Sequence, residues 1–337
     1  MQYKLLGRTG LFVSELCLGT MTFGGGGVWQ AIGSLGQPEV NNLVDRAIEA
    51  GINFFDTANV YSAGESERLL GEALKGRRQD VVLATKVRGR VGPGPNQIGL
   101  SRGHIMQQID GSLKRLQTDY IDLYQIHGFD IVTPIEETMR ALDDLVKAGK
   151  VRYIGCSNLA AWQILKANGF SDKQNTARFE TLQAYYSLAG RELERELIPA
   201  LTDQQMGLLV WSPLAGGFLS GRYTRENQTV EGSRRTEFDF PPVNKDKGFD
   251  IIAVLQEIGQ AHDVSVARIA LAWLLHQQAV TSVIIGAKTL DQLNDNLQAP
   301  EIKLSADELE RIDKVSALAP EYPGWMIARQ NNDRVPR

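Results

Sequence analysis

Four side chains in the first 130 residues are of the types that acid–base chemistry uses, and three of them stand where an apolar run ends. Asp56 closes Ile52-Asn53-Phe54-Phe55, and Tyr61 follows five residues later in a short polar loop. Lys86 closes Val81-Val82-Leu83-Ala84-Thr85, and His127 closes Tyr120-Ile121-Asp122-Leu123-Tyr124-Gln125-Ile126. A phenol ordinarily loses its proton near pH 10, too high for efficient proton donation at neutral pH. A lysine cation beside it favours the phenolate and lowers that value, and a carboxylate paired with the lysine holds the lysine in place and protonated. A histidine beside the phenol can hydrogen-bond a substrate oxygen and orient it. Together the four would make a proton donor aimed at an oxygen, with no metal and no covalent nucleophile. That suits reduction of a carbonyl, in which oxygen is protonated while a hydride arrives at carbon. Side chains supply no hydride, so the chemistry implies a nicotinamide.

The elements that must position these groups follow a repeating order. Residues 2–13 read as a β-hairpin around Gly7-Arg8-Thr9-Gly10. Strands are expected at 15–19, 52–55, 81–85, 120–126, 151–156, 179–184, 207–211 and 281–285. Helices are expected at 38–50, 65–75, 102–117, about 160–168, 191–204, 249–262, 265–278 and 289–298. Another helix opens after His127, with Thr133 as its cap and Pro134 in its first turn. Ser305 with Glu308 forms a capping box for a further helix, and 319–337 reads as irregular. Gly24 to Gly27 reads as a loop, since no strand–G-x-G-x-x-G–helix pattern occurs. Eight strand–helix repeats with short apolar strands predict a parallel sheet covered by helices, closed into a (β/α)₈ barrel. The alternative, an open doubly wound sheet, would usually offer a glycine fingerprint for a dinucleotide. The expected organisation is one domain over 1–337: hairpin 2–13, barrel about 15–299, C-terminal helix and tail 305–337. In such a barrel the catalytic groups gather at the carboxyl ends of the strands. Those ends carry Asp56 with Tyr61, Lys86, His127, Ser157-Asn158, Gln183, Trp211 and Gly286.

Composition bounds the partners. The 337 residues are 43% apolar and 23% charged, the balance of an ordinary soluble globular chain. A net charge of −4 argues against nucleic acid or an anionic membrane surface as partner. Cys17 and Cys156 lie in apolar runs and read as buried thiols of a reducing compartment, not a disulfide. With no secretory pattern at Met1-Gln2-Tyr3-Lys4-Leu5 and no run of about 18 apolar residues, a cytoplasmic location is expected. Four histidines without H-E-x-x-H or paired C-x-x-C leave a metal site unexpected.

Several stretches together carry a resemblance. They are Phe55-Asp56-Thr57-Ala58 with Tyr61, Ala84-Thr85-Lys86, Leu123-Tyr124-Gln125-Ile126-His127, Gly149-Lys150-Val151-Arg152-Tyr153-Ile154-Gly155-Cys156-Ser157-Asn158, Gln183, and Trp211-Ser212-Pro213-Leu214-Ala215-Gly216-Gly217. The chain resembles an aldo-keto reductase from about residue 3 to 316. The resemblance implies a barrel whose bottom an N-terminal hairpin closes, and an Asp–Tyr–Lys–His tetrad at Asp56, Tyr61, Lys86 and His127. It also implies NADP(H), with NAD(H) the less favoured nucleotide. Gly19, Thr20 and Met21 would border the cofactor beside Asp56. Ser157, Asn158 and Gln183 would bind the nicotinamide carboxamide, and Trp211 would stack on the ring, where many members have tyrosine. Ser212, Pro213, Leu214, Gly217 and Leu219 would line the pyrophosphate, with Arg222 in reach. Gly286, Lys288, Gln292, Asp295 and Asn296 would take the adenosine end, Lys288 at the 2′-phosphate. The best-known branch has an arginine where Gln292 stands.

Trp29, Phe129, Tyr322 and Trp325 fall at the same barrel end and read either as pocket walls or as packing anchors. The partner implied is a small carbonyl or alcohol. The branch with Trp-Ser-Pro-Leu-Ala-Gly-Gly often oligomerises, so a homo-oligomer is among the expectations. That branch also includes potassium-channel β-subunits, so the alternative function is a regulatory, NADP(H)-binding subunit that reports redox state to a partner.

Overall fold

The computed structural model describes residues 1–26, 29, 30, 32–231, 233–331 and 334. The expected glycine loop is therefore described through Gly26, and Gly27 lies outside the described residues. Strands β1 (Tyr3–Leu5) and β2 (Phe12–Ser14) pair antiparallel as the expected hairpin. Eight parallel strands follow: β3 (Leu16–Gly19), β4 (Phe54–Asp56), β5 (Val82–Val87), β6 (Ile121–Ile126), β7 (Val151–Ser157), β8 (Phe179–Tyr185), β9 (Gly207–Trp211) and β10 (Val280–Ile285). They pair in chain order, and β10 pairs with β3, which closes the barrel.

Alternation along each strand divides the core in two. Phe54, Val82, Ala84, Leu123, Leu209 and Ile284 point inward and pack with Leu6, Val13 and Cys17 of the hairpin and first strand. Phe55, Leu83, Tyr124, Ile126, Ile154 and Leu182 point outward, against the helices. A two-residue period therefore fills the barrel with one set and glues on the helix ring with the other. Above the inward apolar layer the same period presents Asp56, Lys86, Gln125 and Gln183. The hairpin sits at the opposite end. Lys4 Nζ donates to Val280 O at 2.8 Å, at the start of β10. At Gly7 (φ +60°) a β-carbon would stand 2.2 Å from Glu180 O, so glycine lets the plug seat on the strand starts.

The helix ring comprises α1 (Gln37–Glu49), α2 (Glu65–Ala73), α3 (Arg102–Leu116), α4 (Ile135–Lys147), α5 (Ala161–Gln174), α6 (Leu197–Gln204), α7 (Arg234–Glu237), α8 (Lys245–His262), α9 (Val266–His276) and α10 (Leu290–Leu297). α11 (Ala306–Ser316) starts at the expected capping box of Ser305 and Glu308. Four local expectations are corrected. α5 runs on to Gln174, beyond the expected end near 168. The Asn168 amide bonds both backbone groups of Phe179, which fixes the helix to β8. The helix expected from 191 splits into a 3-10 turn, Glu192–Glu194, and α6, because Pro199 fits only a first turn. Thr133 is not the cap of α4. Its hydroxyl donates to Asp130 Oδ2 at 2.8 Å, and Pro134 takes the cap position without a side-chain bond. The tail is not wholly irregular: α12 (Gly324–Asn331) forms there with no buried residue, so no apolar stripe announces it. Residues 332, 333 and 335–337 lie outside the described residues. No helix among the described residues is long and apolar enough to cross a membrane.

Candidate active site

Three adjacent strands bring the four expected groups to one end of the barrel. Asp56 is the last residue of β4, Lys86 the penultimate residue of β5, and His127 follows β6. The Lys86 ammonium is wholly buried. It donates to Asp56 Oδ1 at 2.5 Å, to Thr57 O at 2.8 Å and to Tyr61 Oη at 3.3 Å. All three ammonium hydrogens thus have acceptors, as a buried cation requires. The second carboxylate oxygen of Asp56 accepts from Gln183 Nε2 at 2.9 Å and from Gln125 Nε2 at 3.1 Å. Tyr61 lies between two rings set edge to face, Trp29 at 5.6 Å and His127 at 5.7 Å between centroids.

The mount of Tyr61 is strained. Ser62 (φ +48°) and Ala63 (φ +55°) both adopt the left-handed conformation that side chains avoid, and Gly64 (φ +94°) completes the turn into α2. Bonds on either side hold the turn: Ser62 Oγ donates to Phe23 O at 3.0 Å, and Ser66 Oγ donates to Thr20 O at 2.7 Å. Thr20 Oγ1 also lies 2.8 Å from Ser66 Oγ, so the loop after β3 and the start of α2 form one unit.

The electrostatics correct one expectation. Burial pushes the Tyr61 phenol above its ordinary value, and the Lys86 cation only partly offsets this. The lysine therefore works against burial instead of delivering an acidic phenol. Burial also opposes the charged form of Lys86, but Asp56 and Tyr61 together more than offset it and raise its pKa. Burial, with the Lys86 and Arg88 cations nearby, pushes His127 down to about 3, so its ring is neutral at physiological pH. The arrangement holds a protonated phenol, a neutral imidazole and an ion pair behind the phenol. That is a proton donor with an adjacent hydrogen-bonding ring.

The remaining expected residues are distributed as follows. Asn158, itself left-handed (φ +57°), accepts from Trp211 Nε1 at 3.0 Å and donates to Ser157 Oγ at 3.0 Å. Ser157 is the register partner of Gln183, which bonds Asp56. Trp211 stacks on Phe240 at 5.7 Å with planes 9° apart. After β9 the backbone makes successive left-handed turns at Ser212, Ala215, Gly216 and Gly217. Pro213 is buried, Leu214 packs partly against the core, and the Leu219 side chain is wholly buried. The N–H groups of Gly216, Gly217 and Leu219 are bonded within this turn. Gly217 and Gly286 have no heavy atom within 4 Å of where a β-carbon would stand, so the backbone is uncovered at both. At Gly19 a β-carbon would lie 2.6 Å from Ile284, and Met21 is half-buried just beyond. Gln292 Oε1 accepts from Lys288 N at 2.8 Å, and Asn296 Nδ2 donates to Gly286 O at 3.5 Å. The Asp295 carboxylate is engaged by Arg268 Nε at 2.6 Å and Ser265 Oγ at 2.7 Å, joining α10 to α9. Phe129 pairs with Trp162 at 5.9 Å, whereas Trp325 pairs with Tyr322 in the exposed tail.

Two residues with a place here escaped the sequence reading. Gln125 is one, since it looked like part of an apolar strand. Arg234 is the other, in α7 of the long loop after β9. Burial lowers the Lys288 pKa, and the Arg234 and Arg222 cations lower it further against the opposing effect of Glu237. These three cations are near enough to act on one another, and such a group could hold an anion.

The aldo/keto reductase family model matches residues 15–317. The chain belongs to that family. Among aldo/keto reductases and their kin, it is 40% identical to the uncharacterized oxidoreductase YrpG of Bacillus subtilis, over 96% of this chain and all of that one. It is 35% identical to a putative aryl-alcohol dehydrogenase of Schizosaccharomyces pombe, over 93% of this chain and 95% of the other. It is equally 35% identical to a probable voltage-gated potassium channel subunit beta of Arabidopsis thaliana, over 96% and 99%. Membership makes the chain an oxidoreductase of a family that uses NAD(P)H and acts on small carbonyl compounds.

Proposed function

We propose that the protein is an NADP(H)-dependent enzyme that reduces an aldehyde or ketone to the alcohol, or runs the reverse oxidation, with Tyr61 as general acid or base. The observation that carries this reading is the buried Lys86 ammonium shared between Asp56 Oδ1 and Tyr61 Oη at the carboxyl end of the barrel. A bound nicotinamide supplies the hydride. Tyr61 Oη gives its proton to the carbonyl oxygen. Lys86 stabilises the phenolate left behind, and Asp56 keeps Lys86 charged and in place. The neutral His127 ring donates an N–H to the same oxygen and so sets the face of the carbonyl. Ser157, Asn158 and Gln183 would hold the carboxamide, and Trp211 would cover the ring. The turn 212–222 would hold the pyrophosphate, and Lys288 with Arg234 the 2′-phosphate. Trp29 and Phe129 supply flat apolar walls, which together with the likeness to a putative aryl-alcohol dehydrogenase favours an aromatic carbonyl.

The test is NADPH oxidation at 340 nm against aldehydes, ketones and keto-sugars, wild type beside Tyr61→Phe. Carbonyl-dependent oxidation should appear in the wild type and fall by roughly two to four orders of magnitude in the variant, with cofactor affinity nearly intact. Near-normal turnover in Tyr61→Phe sinks the mechanism. Tight NADPH binding without turnover in either direction would favour the second reading, a redox-reporting subunit, which the likeness to a channel β-subunit supports.

A further inference from the structure

Gln125 is a buried polar residue that the mechanism above does not use. It occupies the inward position between Leu123, in the apolar layer of the barrel, and His127 at the rim. Its register partners are Lys86 on β5 and Gly155 on β7. The side chain is wholly buried, and Nε2 reaches Asp56 Oδ2 at 3.1 Å. The other end of the amide, Oε1, is buried without a hydrogen-bond partner. The reverse orientation would set a carbonyl oxygen against a carboxylate, so the donor end must face Asp56. Room for the side chain is made by Gly155, where a β-carbon would stand 3.3 Å from Gln125 Cγ and 2.4 Å from Thr181 Oγ1.

A barrel interior has no packing reason to hold this amide. A leucine would fill the space and leave no orphan carbonyl. What the amide alone provides is an N–H on the carboxylate that carries Lys86. We propose that Gln125 is a positioning residue of the tetrad: its N–H fixes the Asp56 carboxylate and draws off part of its charge, so that Lys86 stays directed at the Tyr61 oxygen. This rests on the function proposed above. The chain of contacts is short: Gln125 Nε2 to Asp56 Oδ2, Asp56 Oδ1 to Lys86 Nζ, Lys86 Nζ to Tyr61 Oη. Without the N–H, the carboxylate carries more charge and holds the ammonium more strongly, and both effects favour the protonated phenol.

Gln125→Met keeps the shape and removes the donor. With the full chain and NADPH, kcat should fall about tenfold, while KM for the carbonyl and the affinity for NADPH stay within about twofold. The alkaline limb of kcat/KM should move upward by about half a pH unit. The melting temperature should hold within about 3 °C, because the loss of one donor is offset by the loss of an orphan acceptor. Gln125→Leu should behave alike, and in an Asp56→Asn background Gln125→Met should change turnover no further. A wild-type kcat with an unmoved limb overturns the proposal. So does a joint fall in melting temperature, NADPH affinity and kcat, which would make Gln125 a packing residue. If the wild type turns over neither a carbonyl nor an alcohol, the function proposed above fails. Gln125 is then read by ultraviolet difference titration of the Tyr61 phenolate against Tyr61→Phe. An upward shift in Gln125→Met supports the positioning role, and an unchanged titration overturns it.

Discussion

Replacing Lys86 by methionine separates the two jobs of that residue. The side chain is wholly buried and Asp56 nearly so, with 2.5 Å between ammonium and carboxylate. Removing one member of such a pair leaves the other charge buried and typically costs about 3–5 kcal/mol. Asp56 keeps two amide donors on Oδ2, at 2.9 and 3.1 Å, so the low end applies, about 3 kcal/mol. At about 2.1 cal/mol/K per residue, the 337 residues carry an unfolding entropy of about 0.7 kcal/mol/K, so Lys86→Met should lower the melting temperature by about 4 °C. Asp56→Asn strands the cation and should cost a similar amount. The double variant removes both charges together and should cost clearly less than the sum of the singles, with a coupling of at least about 2 kcal/mol. The assay is thermal and urea unfolding of all four cofactor-free proteins, since bound nucleotide would add its own stabilisation. Turnover of Lys86→Met should fall about 10²- to 10⁴-fold, because the cation that holds the phenol's pKa down is gone. Additive losses, or a cost under about 1 kcal/mol for Lys86→Met, would refute the reasoning, because the pair would then not be acting as a buried unit.

Lys288→Ala should weaken NADPH about tenfold or more and NADH by less than about threefold; equal losses in titrations with the two nucleotides would place the 2′-phosphate elsewhere. Ala63→Gly should raise the melting temperature by about 1 °C, since Ala63 is exposed with φ +55° and glycine relieves the left-handed backbone; a lower value would mean that the turn is not strained. His127 titrates at about 3 in the fold against an ordinary value of 6.5, so the unfolded chain binds the extra proton first as pH falls. The stability tied to its neutral ring is complete above pH 6.5 and lost as pH drops toward 3. Denaturant titrations at pH 7, 5 and 4 should show a gentler loss in His127→Gln than in the wild type, and parallel slopes would count against a neutral imidazole.

The sequence by itself determined the architecture and the grouping of Asp56, Tyr61, Lys86 and His127 at one barrel end. Apolar runs such as Val81 to Thr85 and Tyr120 to Ile126, separated by helical repeats, admit a closed eight-stranded parallel barrel, which is what forms. Because residue position along a strand translates directly into height in such a barrel, Asp56, Lys86 and His127 were legible as one layer, and Tyr61 came with the loop after Asp56. The capping box at Ser305 and the hairpin were legible because their interactions lie within a few residues. Tertiary structure alone decided what depends on distant neighbours. The bonds of Gln125 and Gln183 to Asp56 span 69 and 127 residues, and no local pattern announces them. Arg234 lies in a long loop with no motif, and only folding brings its charge to bear on Lys288. The direction of the Tyr61 shift was misread for the same reason. A nearby lysine is visible in the motif, but the burial that outweighs it is a property of the assembled barrel, where rings from two separate segments flank the phenol.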